Sequence, residues 1–430
     1  MAQKKIGFWS ATSLVVGNMI GSGIFLLPAS LAAYGGISLI GWLFASFGAI
    51  LLAIVFGNLG RLAPGTTGGP YAFTRISLGA FPGFLVAWGY WVSIWASNAA
   101  IAVALVGYLS VFFPILDSNP LVAIMTGLGV IWLMTWVNTK EIRTVAYVQL
   151  ITTILKITPI ILVGLLGIFY IKSGHFSPFN ASGSSNWSAI TTTTALTFFA
   201  FLGMECATIP GTSIDNAETT IRKATITGTL ITVLVYILST IAVIGIVPRE
   251  VLASSSAPFA DAAELFWGSA ARYIVAAGAV ISTLGALNGW ILIQGQIPMA
   301  AAMDGLFPKI FGKQNKSGSP AAGIVLSSLL VSALMMMNFS KSLVNAFTFM
   351  MTLSTLSVIT PYLFSTASYA LLVYKKDKKH KVGQLFIAFL AFLFSMWIII
   401  GCGQEVVFWG FVLLMAGIPF YVWLKKDESS

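Results

Sequence analysis

The sequence predicts an all-α membrane protein of about twelve transmembrane helices, arranged as a 5+5 inverted repeat in which helices 1 and 6 are discontinuous. Three observations carry this. Of 430 residues, 57% are hydrophobic and only 8% charged, whereas soluble domains carry roughly 25% charged residues. Apolar runs of the about 20 residues needed to cross a bilayer recur from Phe8 to the C-terminus. Two of these runs, at corresponding places in the two halves, are interrupted by glycine-rich polar stretches.

Read between charged or Gly/Pro-rich breaks, the runs cover residues 8–34, 38–60, 81–113, 120–138, 143–171, 188–210, 222–247, 270–302, 320–338, 343–374, 382–402 and 405–424. No soluble domain remains outside them, so residues 1–430 are expected to form one integral membrane domain. Within it, 1–175 holds the first repeat (helices 1–5), 186–375 the second (helices 6–10), and 382–424 helices 11 and 12. The first run follows Gln3, Lys4 and Lys5 and has no small-residue cleavage site before the second, so it reads as a retained helix rather than a signal peptide.

A net charge of +10 would fit a nucleic-acid partner, but the positions of the charges argue otherwise. Of 23 Lys and Arg, Lys156 falls inside a span, and Lys172, Arg249, Arg272 and Lys341 fall on one side. The other 18, from Lys4 through Lys375 and Lys381 to Lys426, fall in loops on the opposite side. Basic loops mark the cytoplasmic face. The expectation is a multi-pass protein of the cell (inner) membrane with both termini cytoplasmic, the lipid bilayer as a partner and no nucleic acid. The run from Lys375 to Lys381 reads as a topogenic loop in contact with anionic lipid.

In lipid, unwound backbone is tolerated only where it lines a cavity or is buried in protein, so helix breaks point at sites. In the first span, Gly17-Asn18-Met19-Ile20-Gly21-Ser22-Gly23 places three glycines and two polar residues within seven positions. In the sixth, Phe199-Ala200-Phe201-Leu202-Gly203-Met204-Glu205 is followed by Pro210-Gly211. A Gly-Ser-Gly motif alone also serves close helix packing. Paired with a second break in register, it points to an inverted-repeat transporter with a midplane site. A helix restarting after Ser22-Gly23 would offer N–H donors to a carboxylate, and carbonyls freed at Met19, Phe199 and Leu202 would accept from an ammonium group.

The stretch from Gly17 to Pro28 resembles the first helix of the amino acid, polyamine and organocation (APC) transporter superfamily, and within it the bacterial arginine/agmatine antiporters of the basic amino acid/polyamine group. Gly68-Gly69-Pro70-Tyr71-Ala72-Phe73, Tyr90-Trp91, Phe201 to Glu205, Ser256-Ala257-Pro258-Phe259, Gly289-Trp290 and Asp304-Gly305-Leu306-Phe307-Pro308 extend the likeness over nearly the whole chain. The resemblance implies a LeuT-like fold in which Ser22 and Gly23, with Asn18, Met19 and Gly21 beside them, hold the substrate carboxylate. It implies that Asn98 and Trp290 bracket the distal cationic group and that Ser354 adds a polar contact. Aromatic gates would be Tyr90 on the outer side, Trp290 in the middle and Tyr71 towards the cytoplasm, with Glu205 linked to proton sensing. Two positions depart from that pattern. Phe199 stands where those antiporters have tryptophan, and Ile101 replaces a methionine of the distal pocket, so the pocket keeps an aromatic lid but loses an indole N–H and polarisable surface. Family members often dimerise, yet no span shows a decisive dimer signal, so a homodimer stays open.

Lys156 and Glu205 are the ionisable side chains deep in apolar spans, where each is costly and therefore a functional candidate. Glu205 reads either as a gate or proton sensor, or as a carboxylate that only stabilises unwound backbone. Lys156 resembles the fifth-helix lysine that replaces a bound sodium ion in proton-coupled members of the superfamily; the alternative is a snorkelling lysine. Cys206 and Cys402 lie in apolar segments, and His175 and His380 in loops on opposite faces, so neither disulfide, metal site nor cofactor is expected. No phosphate loop, nucleophile elbow or dinucleotide fingerprint occurs, which argues against an enzyme. The expectation is a secondary transporter that exchanges an arginine-like cationic amino acid for its agmatine-like decarboxylated amine by alternating access. The alternative, motivated by Lys156, is a proton-coupled amino acid symporter of broader specificity.

Overall fold

The structure, a computed structural model, describes residues 6–64, 66, 68–140, 159–209, 214–338, 340–376 and 381–428. Lys156 and the Pro210-Gly211 pair lie outside the described residues. The chain begins with α1 (Phe8–Met19), breaks, and resumes as α2 (Ser22–Ala32). It then runs through α3 (Ser38–Leu62), the short α4 (Pro70–Leu78), α5 (Ala80–Leu109), the single turn α6 (Ile115–Ser118) and α7 (Pro120–Asn138). Next come α8 (Pro159–Tyr170), α9 (Asn186–Phe198), α10 (Ala217–Ile246), α11 (Arg249–Ser254), α12 (Pro258–Trp267) and α13 (Ser269–Met303). The chain closes with α14 (Ala321–Met337), α15 (Leu343–Lys376), α16 (Lys381–Gly401), α17 (Gln404–Met415) and α18 (Gly417–Glu428). Among the described residues, the one β-type contact is a single bridge between Ile6 and Ile214.

Among the described residues, ten stretches are long and apolar enough to cross a membrane, and the shorter apolar helices α8 and α14 fall where the sequence places the fifth and ninth spans. Observed limits such as 120–138 for the fourth span and 269–303 for the eighth match the sequence reading to within a few residues. The last span is less regular than its composition implies. It divides at Ala416 into α17 and α18, because Pro419 has no N–H to give to the carbonyl of Met415.

Two kinds of helix follow from burial. The first span, combining α1 and α2, is buried over 94% of its most apolar window, as is α5, whereas the stretch joining α17 and α18 is buried over only 17%. The inner helices carry the polar residues of the interior, such as Asn58, Asn98 and Glu205, all nearly or fully buried. The outer ones present Leu133, Trp136, Phe389, Phe408 and Trp409 outward, as expected where hydrocarbon rather than water covers the surface. α5 lies against α13 and α15, while α10 lies against α1 and α3. These two groups meet around the breaks.

Candidate functional site

The first break begins where the Ile20 N–H makes the last bond of α1, to Val16 O at 2.8 Å. Ile20 then turns extended (φ −74°, ψ 90°), and Gly21 (φ −130°, ψ −143°) redirects the chain into α2 with no side-chain cap. The first amides of α2 thus point out of the helix end unclaimed by any capping side chain, a local anion-binding arrangement. Of Ser22, which opens α2, only the backbone is described.

The second break falls within the Phe199–Glu205 stretch singled out in the sequence. α9 tightens into a 3-10 turn over Phe199–Phe201, Leu202 is extended, and Gly203 adopts φ +103° before a further 3-10 turn over Met204–Thr208. Gly203 is required on two counts. Its left-handed φ disfavours any side chain, and a Cβ there would sit 3.1 Å from the Cβ and carbonyl carbon of Asn18. A Cβ on Gly23 would likewise come within 3.1 Å of the Phe199 ring. The two interrupted helices therefore cross at their breaks, backbone close to backbone.

Between them lies a hollow of about 260 Å³, lined by Asn18, Met19, Gly21, Gly23, Ser97, Ile101, Phe199, Ala200, Leu202 and Trp290. Among the described residues no lining side chain is ionisable, so the groups these residues offer a charged guest are backbone dipoles, the Asn18 and Ser97 side chains and the faces of Trp290 and Phe199. Phe199 is held edge-on against Phe347 of α15, with centroids 6.1 Å apart.

The carbonyls expected to be free are partly engaged. The Tyr236 hydroxyl donates to Met19 O at 2.6 Å, and the Leu202 N–H donates to Phe199 O at 3.1 Å. A carbonyl has two lone pairs, so each can still accept once more.

Several residues singled out in the sequence stand beside the hollow rather than on its wall. Asn98 is fully buried, and its amide donates to Gln294 Oε1 at 2.7 Å while its own Oδ1 has no partner among the described residues. Ser354 donates to Ser93 O at 2.8 Å. Tyr90 turns to Glu205, donating to Oε1 at 2.5 Å, and Tyr362 donates to Oε2 at 2.7 Å. The Gly203 N–H adds a third bond to Oε2 at 3.2 Å. A fully buried carboxylate with three donors satisfies the condition under which such a group is tolerated. Glu205 also links the second break to α5 and α15.

Tyr71 lies on α4, outside the apolar spans, and donates to Asp304 Oδ2 at 3.3 Å; Arg75 pairs with Asp304 Oδ1 at 2.8 Å. Burial, reinforced by the Asp304 charge, pushes the Tyr71 hydroxyl well above the usual phenol range. On the same side, the Gly68 N–H donates to Ile209 O at 3.1 Å and the Asp215 N–H to Ile6 O at 3.0 Å. At the other end, Ser30 bonds Thr348 at 2.8 Å, and Tyr108 donates to Phe25 O at 2.8 Å. Hydrogen bonds thus join neighbouring elements at both ends of the interrupted helices.

Sequence reasoning did not single out Ser97, Ala200, Tyr236, Gln294 or Tyr362. A lone tyrosine inside an apolar run, as at 236 and 362, was the available signal. It is weak, because tyrosine is also common at membrane interfaces.

The amino acid permease family model matches residues 6–423. The chain is 34% identical over 434 aligned residues to a protein of Bacillus subtilis (strain 168) named "Putative arginine/ornithine antiporter", with 92% of each chain covered. It is 35% identical to the cadaverine/lysine antiporter of Escherichia coli (strain K12), over 78% of this chain and 75% of the relative. It is 31% identical to the putrescine transporter PotE of the same strain, over 97% and 95% respectively.

Proposed function

This chain belongs to the amino acid permease family, and from that premise we propose that it exchanges a cationic amino acid, arginine-like in size, for its decarboxylated amine across the cell membrane. It is a transporter and not an enzyme. The observation that carries the proposal is the hollow between the two breaks. One side offers the uncapped amides of α2 to a carboxylate, and the other offers Trp290 and Phe199 to a cation. An amine lacking the carboxylate keeps the second half of these contacts, which is what an exchanger of the pair requires.

The relatives support this class. Lysine and cadaverine differ by one carboxyl group, and both partners of the arginine/ornithine pair are basic amino acids. The breaks fall in the first and sixth apolar spans, as two inverted repeats of five would place them, and alternating access would rock one repeat-derived unit about the fixed site. Both termini would be cytoplasmic.

The test is uptake of labelled arginine into proteoliposomes preloaded with agmatine, ornithine, putrescine, cadaverine, lysine, leucine or buffer. Uptake that requires a preloaded amine or basic amino acid supports exchange. Accumulation into empty vesicles driven by a proton gradient would replace exchange with proton-coupled uptake and make Lys156→Ala the next variant. Equal stimulation by leucine would sink the cationic assignment.

A further inference from the structure

A second cavity, of about 520 Å³, lies behind α5, among the ends of α5, α7, α14 and α15 that face away from the N-terminus. Val103 and Ile101 illustrate the separation: two positions apart on one helix they face opposite ways, Val103 into this cavity and Ile101 into the central hollow. The cavity floor is aliphatic, with Val103, Ile124 and Met350, while its rim carries Asp117, Lys341 and Ser342.

The rim charges are opposite but not paired. Neither Asp117 nor Lys341 joins an ion pair within 4.0 Å among the described residues, and the Lys341 ammonium rests 4.3 Å from the Phe349 ring centroid. That leaves the three N–H donors of Lys341 available to an anion and the Asp117 oxygens to a cation. Ser342 Oγ accepts from the Asn345 N–H at 3.3 Å, so its own proton can be donated outward. An acid and a base held apart at the mouth of an apolar cleft match a zwitterion with an apolar tail. A free amino acid offers both charges but at most one short side chain to the floor, whereas an acyl chain can run along its whole length. The cleft borders helices whose Met125 and Met336 are more than half exposed toward the lipid-facing side, where such amphiphiles are concentrated.

We propose that this cavity binds a phospholipid with a primary-ammonium headgroup. The ammonium sits on Asp117, the phosphate on Lys341 and the Ser342 hydroxyl, and one acyl chain along Val103, Ile124 and Met350. A carboxylate distinguishes a primary from a quaternary ammonium because only the former donates charge-assisted hydrogen bonds. The site also touches the transport machinery through α15. Met350 faces the cavity, while Phe347 braces Phe199 and Thr348 bonds Ser30.

The test is native mass spectrometry of the full-length protein, equilibrated with equimolar phosphatidylethanolamine, phosphatidylcholine and phosphatidylglycerol of matched chains. One phosphatidylethanolamine per chain should be retained in preference to phosphatidylcholine by about tenfold, the equivalent of one charge-assisted hydrogen bond. Asp117→Asn should abolish that preference, and Lys341→Gln should weaken retention of both lipids; both side chains are exposed, so both variants fold. Equal retention of the two zwitterionic lipids by the native protein, unchanged selectivity in Asp117→Asn, or displacement of the lipid by millimolar free amino acid would each overturn the assignment.

Discussion

The two helix breaks stand side by side but are held in different ways. At the first, between α1 and α2, the turn at Gly21 has no side-chain cap, and one hydroxyl, that of Tyr236, reaches the Met19 carbonyl. At the second, a left-handed Gly203 is followed by Glu205, whose carboxylate gathers donors from α5, α15 and its own loop. The first break keeps its amides open and is suited to recognition. The second binds its unwound segment to two neighbouring helices through one acid, and is suited to relaying a change in shape.

Several substitutions can break or sharpen that contrast. The largest effect is expected from Gly203→Ala, which forces a Cβ into a left-handed conformation and against Asn18; a loss on the order of 2–4 kcal/mol should appear as a collapsed thermal midpoint in detergent and no transport. A variant with native melting and transport would show that the second break is not conformationally required. Next comes Trp290→Leu, which removes the aromatic wall shared by both breaks. Substrate affinity should fall by roughly thirtyfold, the 2 kcal/mol of a buried aromatic anchor, with the melting curve little changed; undiminished binding by calorimetry would remove Trp290 from the site.

Glu205→Gln keeps the shape of the second break but replaces one acceptor oxygen with an NH₂ group. Transport should slow severalfold, because an amide NH₂ now faces a tyrosine hydroxyl that donated to the carboxylate, while binding through the first break persists. Native exchange rates in Glu205→Gln would show that the carboxylate is not needed to couple the second break to α5 and α15. The smallest effect belongs to Tyr236→Phe. Losing one hydrogen bond to Met19 costs about 1 kcal/mol, visible as a modest drop in melting temperature with exchange retained. A complete loss of exchange would mean that the first break depends on side chains as much as the second.

Much of this arrangement is legible in the residues themselves. The twelve apolar runs, the glycine cluster around Gly21, the weak point near Gly203 and the isolated acid Glu205 are all local features. What the residues around the second break do not reveal is the neighbour there: Gly203 turns with φ +103°, and the side chain it lacks would meet Asn18, 185 positions earlier. Asn98 was expected against the substrate through its resemblance to a distal-pocket asparagine. Its partner Gln294, from another helix, leaves no trace in the neighbouring sequence.

What the sequence determined by itself was that the chain is a bundle of long apolar helices, where two of them lose their winding and which acid is buried beside one of them. Hydrophobic run length and glycine frequency act over a few turns and need no partner to be read. Only the tertiary structure decided that Tyr90 and Tyr362, separated from Glu205 by 115 and 157 positions, supply its hydrogen bonds. The same holds for Tyr236, which reaches Met19 across 217 positions. A buried polar atom must be satisfied by whatever donor packing brings within about 3 Å, and that choice is made by helix crossing rather than by neighbours in the chain.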